Sequence, residues 1–367
     1  GAQRSRHDPE KWAPVLREDH PWRRECAGNT EEEIVTMIEM PPLQFAQTNG
    51  IRMGYYEAGP KTDAPPMVLC HGWPELAFSW RHQIKALSEA GIRVIAPDQR
   101  GYGSTDRPEP VEAYDMEHLT GDLVGLLDHL KIDKAIFVGH DWGGFIVWQM
   151  PLRHPDRVAG VIGVNTPHYD RLPADPIELF RKRFGDSMYI VQFQDPAREP
   201  DRIFGSRVEQ TFDAFMRKPL PRKEEAPAAP ATAGVGASAK TNLAFPQMIA
   251  AYDAKFDPRT PILSPEEKKV FVDAFTKTGF TGGINWYRNF TRNWQRSEGL
   301  DHTVRVPSLM IMAENDAVLP PSAADGMEKI IPDLEKYLVK DSGHWTQQEK
   351  PEEVSAKLIE WRRKRFG

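Results

Sequence analysis

Apolar positions along this chain fall into two kinds of pattern, and the two alternate. Met67 to Cys70, Arg93 to Ala96, Ala135 to Val138 and Val158 to Val164 are short apolar or β-branched runs bounded by polar and turn-forming residues, the signature of buried strands. Amphipathic stretches lie between them. Met116, Leu119, Leu123, Leu126, Leu127 and Leu130 recur at helical spacing and predict a helix that lays one apolar face on a sheet. Such alternation from about Leu43 to Gly163 predicts βαβ units, hence an α/β fold with a mostly parallel sheet flanked by helices.

The rhythm breaks after Asn165-Thr166-Pro167, where the chain turns Pro-, Arg- and aromatic-rich and carries helical rather than strand signals until about Val304. Residues 167–304 are therefore expected to form an inserted helical cap. Within it, residues 224–241 are low in complexity and rich in Ala, Pro and Gly, a flexible loop that cannot build a core of its own. Its Gly234-Val235-Gly236 has neither the preceding strand nor the following helix that a dinucleotide loop needs. Sheet rhythm resumes with Leu309 to Ala313 and Leu334 to Val339, and Pro351 to Arg365 reads as a closing helix. Its terminal Arg362, Arg363, Lys364 and Arg365 suit the negative end of the helix dipole. The expected organisation is an N-terminal arm over 1–42, a core made of 43–166 and 305–367, and the cap between.

Composition narrows the function. Of 367 residues, 40% are apolar, enough for a large core, and 47 Lys and Arg stand against 53 Asp and Glu, for a net charge of −6. A nucleic-acid partner would call for a basic face. No apolar run nears the roughly 20 residues of a membrane span. Only Cys26 and Cys70 are present, so no disulfide framework is expected. The histidines show no metal-ligand spacing, and neither a metal nor a cofactor is implied. The expected compartment is cytoplasmic, although a removed export signal would leave no trace in a chain that starts at Gly1. Assembly is open, a homo-oligomer included.

Candidate chemistry sits at strand ends. Gly139-His140-Asp141-Trp142-Gly143-Gly144 follows one strand and precedes a helical stretch, the strand–turn–helix setting of a nucleophile elbow with Asp141 in the place of serine. His71-Gly72-Trp73-Pro74 follows another strand, so the backbone N–H groups of Trp73 and Trp142 could converge on one oxygen. Asp316 follows the run Leu309 to Ala313 and His344 follows Leu334 to Val339. Nucleophile, acid and histidine thus stand in α/β-hydrolase order. Glu314 and Asp170 compete with Asp316 for the role of orienting acid.

With these motifs in place, the chain resembles the epoxide hydrolases of the α/β-hydrolase superfamily, most of all the hydrolase domain of the soluble type, from about Leu43 to Lys364. The likeness extends to Trp80-Arg81, to the segment Asp98 to Ser104, to Asn165-Thr166-Pro167 and to Gly343 to Gln347. It includes two cap segments, Tyr189 to Pro196 and Asn285 to Asn289 with Asn293-Trp294. The resemblance implies that Tyr189 and Tyr287 activate the epoxide oxygen, and that Trp142 and Trp286 contact the substrate. It implies a cofactor-independent reaction in which Asp141 forms an ester with the epoxide and His344, oriented by Asp316, activates water to release a vicinal diol. Departures are the long N-terminal arm, the Pro- and Ala-rich loop, and the lack of a counterpart to the phosphatase domain of vertebrate soluble enzymes. Two other readings stay open. A haloalkane or haloacetate dehalogenase would use the same triad and ring N–H groups such as that of Trp142, but a leaving halide needs no proton from tyrosines. A ligand-binding receptor on this fold would need neither the triad nor the tyrosines.

Overall fold

The computed structural model describes residues 38–220 and 243–367. The expected arm up to residue 37 and the loop 224–241 lie outside the described residues. Eight strands form one sheet: β1 (Leu43–Thr48), β2 (Ile51–Ala58), β3 (Met67–Cys70), β4 (Val94–Pro97), β5 (Ala135–His140), β6 (Val158–Val164), β7 (Ser308–Ala313) and β8 (Leu334–Val339). Their order is β1-β2-β4-β3-β5-β6-β7-β8. Pairing is antiparallel for β1 with β2 and β2 with β4, and parallel elsewhere. The apolar runs mark the parallel strands to within two residues. They name no strand before Met67, because β1 and β2 are only partly buried and mix polar residues with their apolar ones. Asn49 and Gly50, with φ of 47° and 78°, make the left-handed turn that an Asn-Gly hairpin requires.

The first helices are α1 (Arg81–Glu89), α2 (Met116–Leu130) and α3 (Trp142–Arg153). Between β6 and β7 come α4 (Pro176–Phe184), α5 (Tyr189–Gln192), α6 (Glu199–Gly205), α7 (Val208–Phe215), α8 (Phe245–Ala251), α9 (Pro265–Thr278), α10 (Thr281–Arg288) and α11 (Phe290–Arg296). The chain closes with α12 (Thr346–Glu349) and α13 (Pro351–Phe366).

Strand periodicity sorts the core into two faces. Met67, Leu69, Ile136 and Val138 pack with Ile84 and Leu87 of α1 and Leu358 and Trp361 of α13. Val68, Cys70 and Phe137 pack with Leu123, Leu126 and Leu127 of α2 and Ile146 and Val147 of α3, in a cluster that continues into the helices inserted after β6. Two ionic ties fasten that insertion. Buried Arg81 donates to Glu267 of α9 and to Gln348 of α12, each at 2.7 Å. Asp115, which caps α2 by accepting from the His118 amide, also accepts from Arg292 and Arg296 of α11. The parallel strands β3, β5, β6, β7 and β8 all end on one edge of the sheet, beneath the insertion, and this is where open α/β sheets place ligands.

Candidate active site

Asp141 occupies the sharp turn from β5 into α3, with φ 51° and ψ −121°. That left-handed, non-glycine conformation is strained. The turn closes because its flanks are glycines: a Cβ on Gly139 would lie 2.2 Å from the Gly143 carbonyl oxygen, and one on Gly143 would lie 2.0 Å from that of Cys70. The loop after β3 brings the Trp73 amide to donate to Asp141 Oδ1 at 2.8 Å, and the Trp142 amide also bonds the carboxylate. One oxygen is thereby anchored. The other, Oδ2, faces His344 Nε2 at 3.7 Å. Burial pushes the Asp141 carboxyl up, while His344, His140 and the two amides pull it back.

His344 follows β8, and its Nδ1 donates to Asp316 Oδ2 at 2.9 Å. Asp316, fully buried at the end of β7, is held rigidly: Oδ1 accepts from the amides of Val318 and Leu319, and Oδ2 accepts from Asn165 after β6. Burial opposes its charge, but His344 and these donors more than offset that and hold the carboxyl well below the usual range. Burial likewise opposes a charged His344, yet the facing Asp316, with Asp141 and Glu75 behind it, raises the ring to about 9. The competing acids are placed elsewhere. Glu314 accepts from the Asp341 amide, and Asp170 lines a separate cavity with Phe145 and Arg153.

Beneath the triad lies a buried pair that the motifs did not single out. Glu75 Oε2 accepts from the Gly72 amide at 2.8 Å and lies 2.7 Å from His140 Nδ1. His140 Nε2 lies 2.6 Å from the His344 carbonyl oxygen, and Gln347 donates to Glu75 Oε1. The pair thus links the loop after β3, the elbow and the histidine loop. Its signal in the sequence is adjacency alone, since Glu75 follows His71 to Pro74 and His140 precedes Asp141. His71 supports the same loop as a neutral ring, because its Nε2 accepts from the Gln99 amide, which leaves Nδ1 to donate to the Gly72 carbonyl.

Tyr189 opens α5 and Tyr287 lies on α10, with ring centroids 5.7 Å apart and both residues buried. Burial foremost, then the negative Asp141 and, for Tyr287, the neighbouring phenol, push both hydroxyls far above the ordinary phenol range. They stay protonated. A cavity of about 230 Å³ is lined by Asp141, His344, Asp316, Tyr189, Tyr287 and Trp73, with Phe215, Phe245 and Met248 among the apolar walls. Trp142 and Trp286 do not line it, contrary to the expected substrate contact. The Trp142 side chain hydrogen-bonds Tyr287, and Trp286 donates to the Arg100 carbonyl while packing on Tyr102 and Trp142. Trp142, the first residue of α3, packs its ring 5.0 Å from that of Tyr287 on α10, and Trp286 packs against Trp142. Among the described residues no group of three His, Cys, Asp or Glu is placed to hold a metal ion, and no helix is long and apolar enough to cross a membrane.

A family model described as the alpha/beta hydrolase fold matches residues 65–351. Epoxide hydrolase A of Mycobacterium tuberculosis is 42% identical over 324 residues, 88% of this chain and 97% of that one. Bifunctional epoxide hydrolase 2 of Mus musculus is 39% identical over 85% of this chain, which spans 53% of the mouse protein. The crystal structure of Epoxide Hydrolase A from Mycobacterium thermoresistibile superposes with a TM-score of 0.76 at 39% identity, covering 88% of this chain and 98% of that one. Matched in sequence along nearly the whole of a curated relative, and in structure along nearly the whole of a solved one, the chain belongs to the epoxide hydrolases of the α/β-hydrolase fold.

Proposed function

We propose that the enzyme converts epoxides to vicinal diols in two steps at Asp141. Oδ2, the oxygen that faces His344 while Oδ1 accepts from the Trp73 amide, attacks an epoxide carbon from behind. The C–O bond of the ring breaks, and Tyr189 or Tyr287 gives its proton to the departing alkoxide, a far stronger base than a phenolate. Water activated by His344 then adds to the ester carbonyl carbon, and the Trp73 and Trp142 amides, both bonded to the Asp141 carboxylate, hold the resulting oxyanion. Collapse of that intermediate frees the diol and restores the carboxylate. A carboxylate suits this work because its ester can be hydrolysed, whereas a serine ether could not.

The observation that carries the reading is one cavity with a buried carboxylate and histidine on its floor and two protonated phenols facing them from the insertion. Dehalogenation has less support, since the Trp142 side chain on which a halide site would draw already engages Tyr287. The test is a single turnover in heavy-oxygen water with enzyme in excess. The first diol should contain ordinary oxygen taken from Asp141; heavy oxygen in that diol would mean direct attack by water.

A further inference from the structure

Besides Asp316 on its ring, His344 is held through its backbone, and a further buried carboxylate takes part. Glu349, the last residue of α12, is 8% exposed. Its Oε2 accepts from the Gly343 amide at 2.9 Å and its Oε1 from the Trp345 amide at 3.0 Å. These are the residues on either side of His344. Gly343 comes this close because it has no side chain: a Cβ there would lie 3.0 Å from Glu349 Oε1. The His344 carbonyl is fixed in turn by His140 at 2.6 Å and by Asn165 at 3.2 Å. Trp345 packs its ring 4.7 Å from the imidazole and donates its indole N–H to the Phe215 carbonyl of α7. Burial pushes the Glu349 carboxyl up, while the two amides and the charge of His344 pull it back.

Each amide points at a different oxygen, so both oxygens must accept. A carboxylate meets that demand, whereas the side chain of glutamine would turn an NH₂ donor toward one of the two amides. With Nδ1 on Asp316 and the backbone clamped on both sides, the direction of Nε2 is set, and Nε2 is the atom that takes a proton from water. We propose that Glu349 is a positioning residue for ester hydrolysis, which aims His344 by bonding the amides of Gly343 and Trp345. Its charge also favours the imidazolium. Ring opening does not call on it, because the amides that hold Asp141 are those of Trp73 and Trp142. This rests on the reading in which His344 activates water.

The test separates the two steps in the full chain, with styrene oxide as substrate and enzyme in excess. In rapid-quench samples the rise of the adduct in intact-protein mass gives ester formation, and its decay gives hydrolysis. Glu349→Gln should form the ester at close to the wild-type rate and hydrolyse it about 10- to 100-fold more slowly on the alkaline plateau, in the range that a misplacement of about 1 Å produces. The acid limb of its hydrolysis should also move to lower pH. Asp316, Glu75 and His140 still face the imidazole and Asp141 is neutral as an ester, so the change is the loss of one negative charge. Glu349→Asp keeps both oxygens one methylene shorter and should fall between the wild type and Glu349→Gln. Both rates are read on molecules that form ester, so unfolded protein does not enter them, and Glu349→Asp carries the test if the Gln variant does not fold. Equal slowing of the two steps, or wild-type hydrolysis with an unmoved limb, overturns the proposal while leaving the reaction intact. Heavy oxygen in the first diol formed by the wild type in heavy-oxygen water overturns the covalent reading instead, and this inference with it.

Discussion

His344 carries opposite demands at different moments. Facing two carboxylates it is protonated at rest, with its pKa raised to about 9, yet hydrolysis needs it neutral. Alkylation resolves the conflict, because an ester at Asp141 removes one of the charges that hold the proton. The same raised value makes a stability prediction. The folded state binds this proton more tightly than the unfolded chain, so the contribution is complete below about 6.5, the ordinary histidine value, and is lost as pH rises through about 9. Asp316, held low, contributes above its ordinary value of 3.8 and loses that contribution as pH falls below it. Thermal midpoints measured from pH 6 to 10 should fall along the alkaline limb, and His344→Gln should flatten that fall; parallel curves would separate His344 from it. In the proposed mechanism the tyrosines act only while the ring opens. Removing one donor from such a site costs about 10²- to 10³-fold in rate. Tyr189→Phe or Tyr287→Phe should slow ester formation by that order in stopped-flow measurements, and the double change should nearly abolish it without slowing hydrolysis of an ester already formed. Normal epoxide turnover by the double variant would remove both as proton donors.

At the scale of elements, the site depends on how closely β3, β5 and α3 approach one another. Gly143→Ala would set a methyl group 2.0 Å from the Cys70 carbonyl oxygen, a backbone atom at the end of β3 that has no rotamer with which to yield. Helix and strand must separate, and the Trp73 amide moves off Asp141 with them. The expected outcome is a stability loss of about 1–3 kcal/mol in urea unfolding, typical of overpacking, with an alkylation rate lowered more than stability alone explains. Wild-type alkylation in this variant would show that the elbow tolerates a wider turn. The same elements show why some were legible in advance. A strand buried on both faces is a run of apolar residues, so β3 to β7 stand out. The edge hairpin of β1 and β2 is only partly buried and mixes polar residues with its apolar ones, so no apolar run marks it.

Over the whole molecule, strand order decides what meets what. Asp141, Asp316 and His344 are scattered along the chain but follow β5, β7 and β8, and a parallel sheet delivers the ends of neighbouring strands to one edge. Motif order therefore sufficed to nominate them, and their separations in the folded chain are those of hydrogen-bonding partners or near neighbours. The tyrosines had to come from the insertion, because a proton donor for the leaving oxygen must stand opposite the attacking carboxylate. The inserted helices meet that need by covering the sheet edge, tied down through Arg81 to Glu267 and Asp115 to Arg292.

Local signals carried the class of fold, the parallel strands and the elbow, since each depends on residues adjacent in the chain or on periodicity within one element. Tertiary structure alone decided the rest. Glu75 and His140 are 65 positions apart and become a pair only when the loops after β3 and β5 lie side by side. Trp142 is next to the nucleophile in sequence yet turns behind Tyr287, because helix geometry, not adjacency, sets the direction of its side chain. Arg217 and Arg259 are 42 positions apart and come to line one cavity only when the insertion folds. Contacts between remote segments depend on packing that no local pattern encodes, and that packing determines which groups a substrate meets.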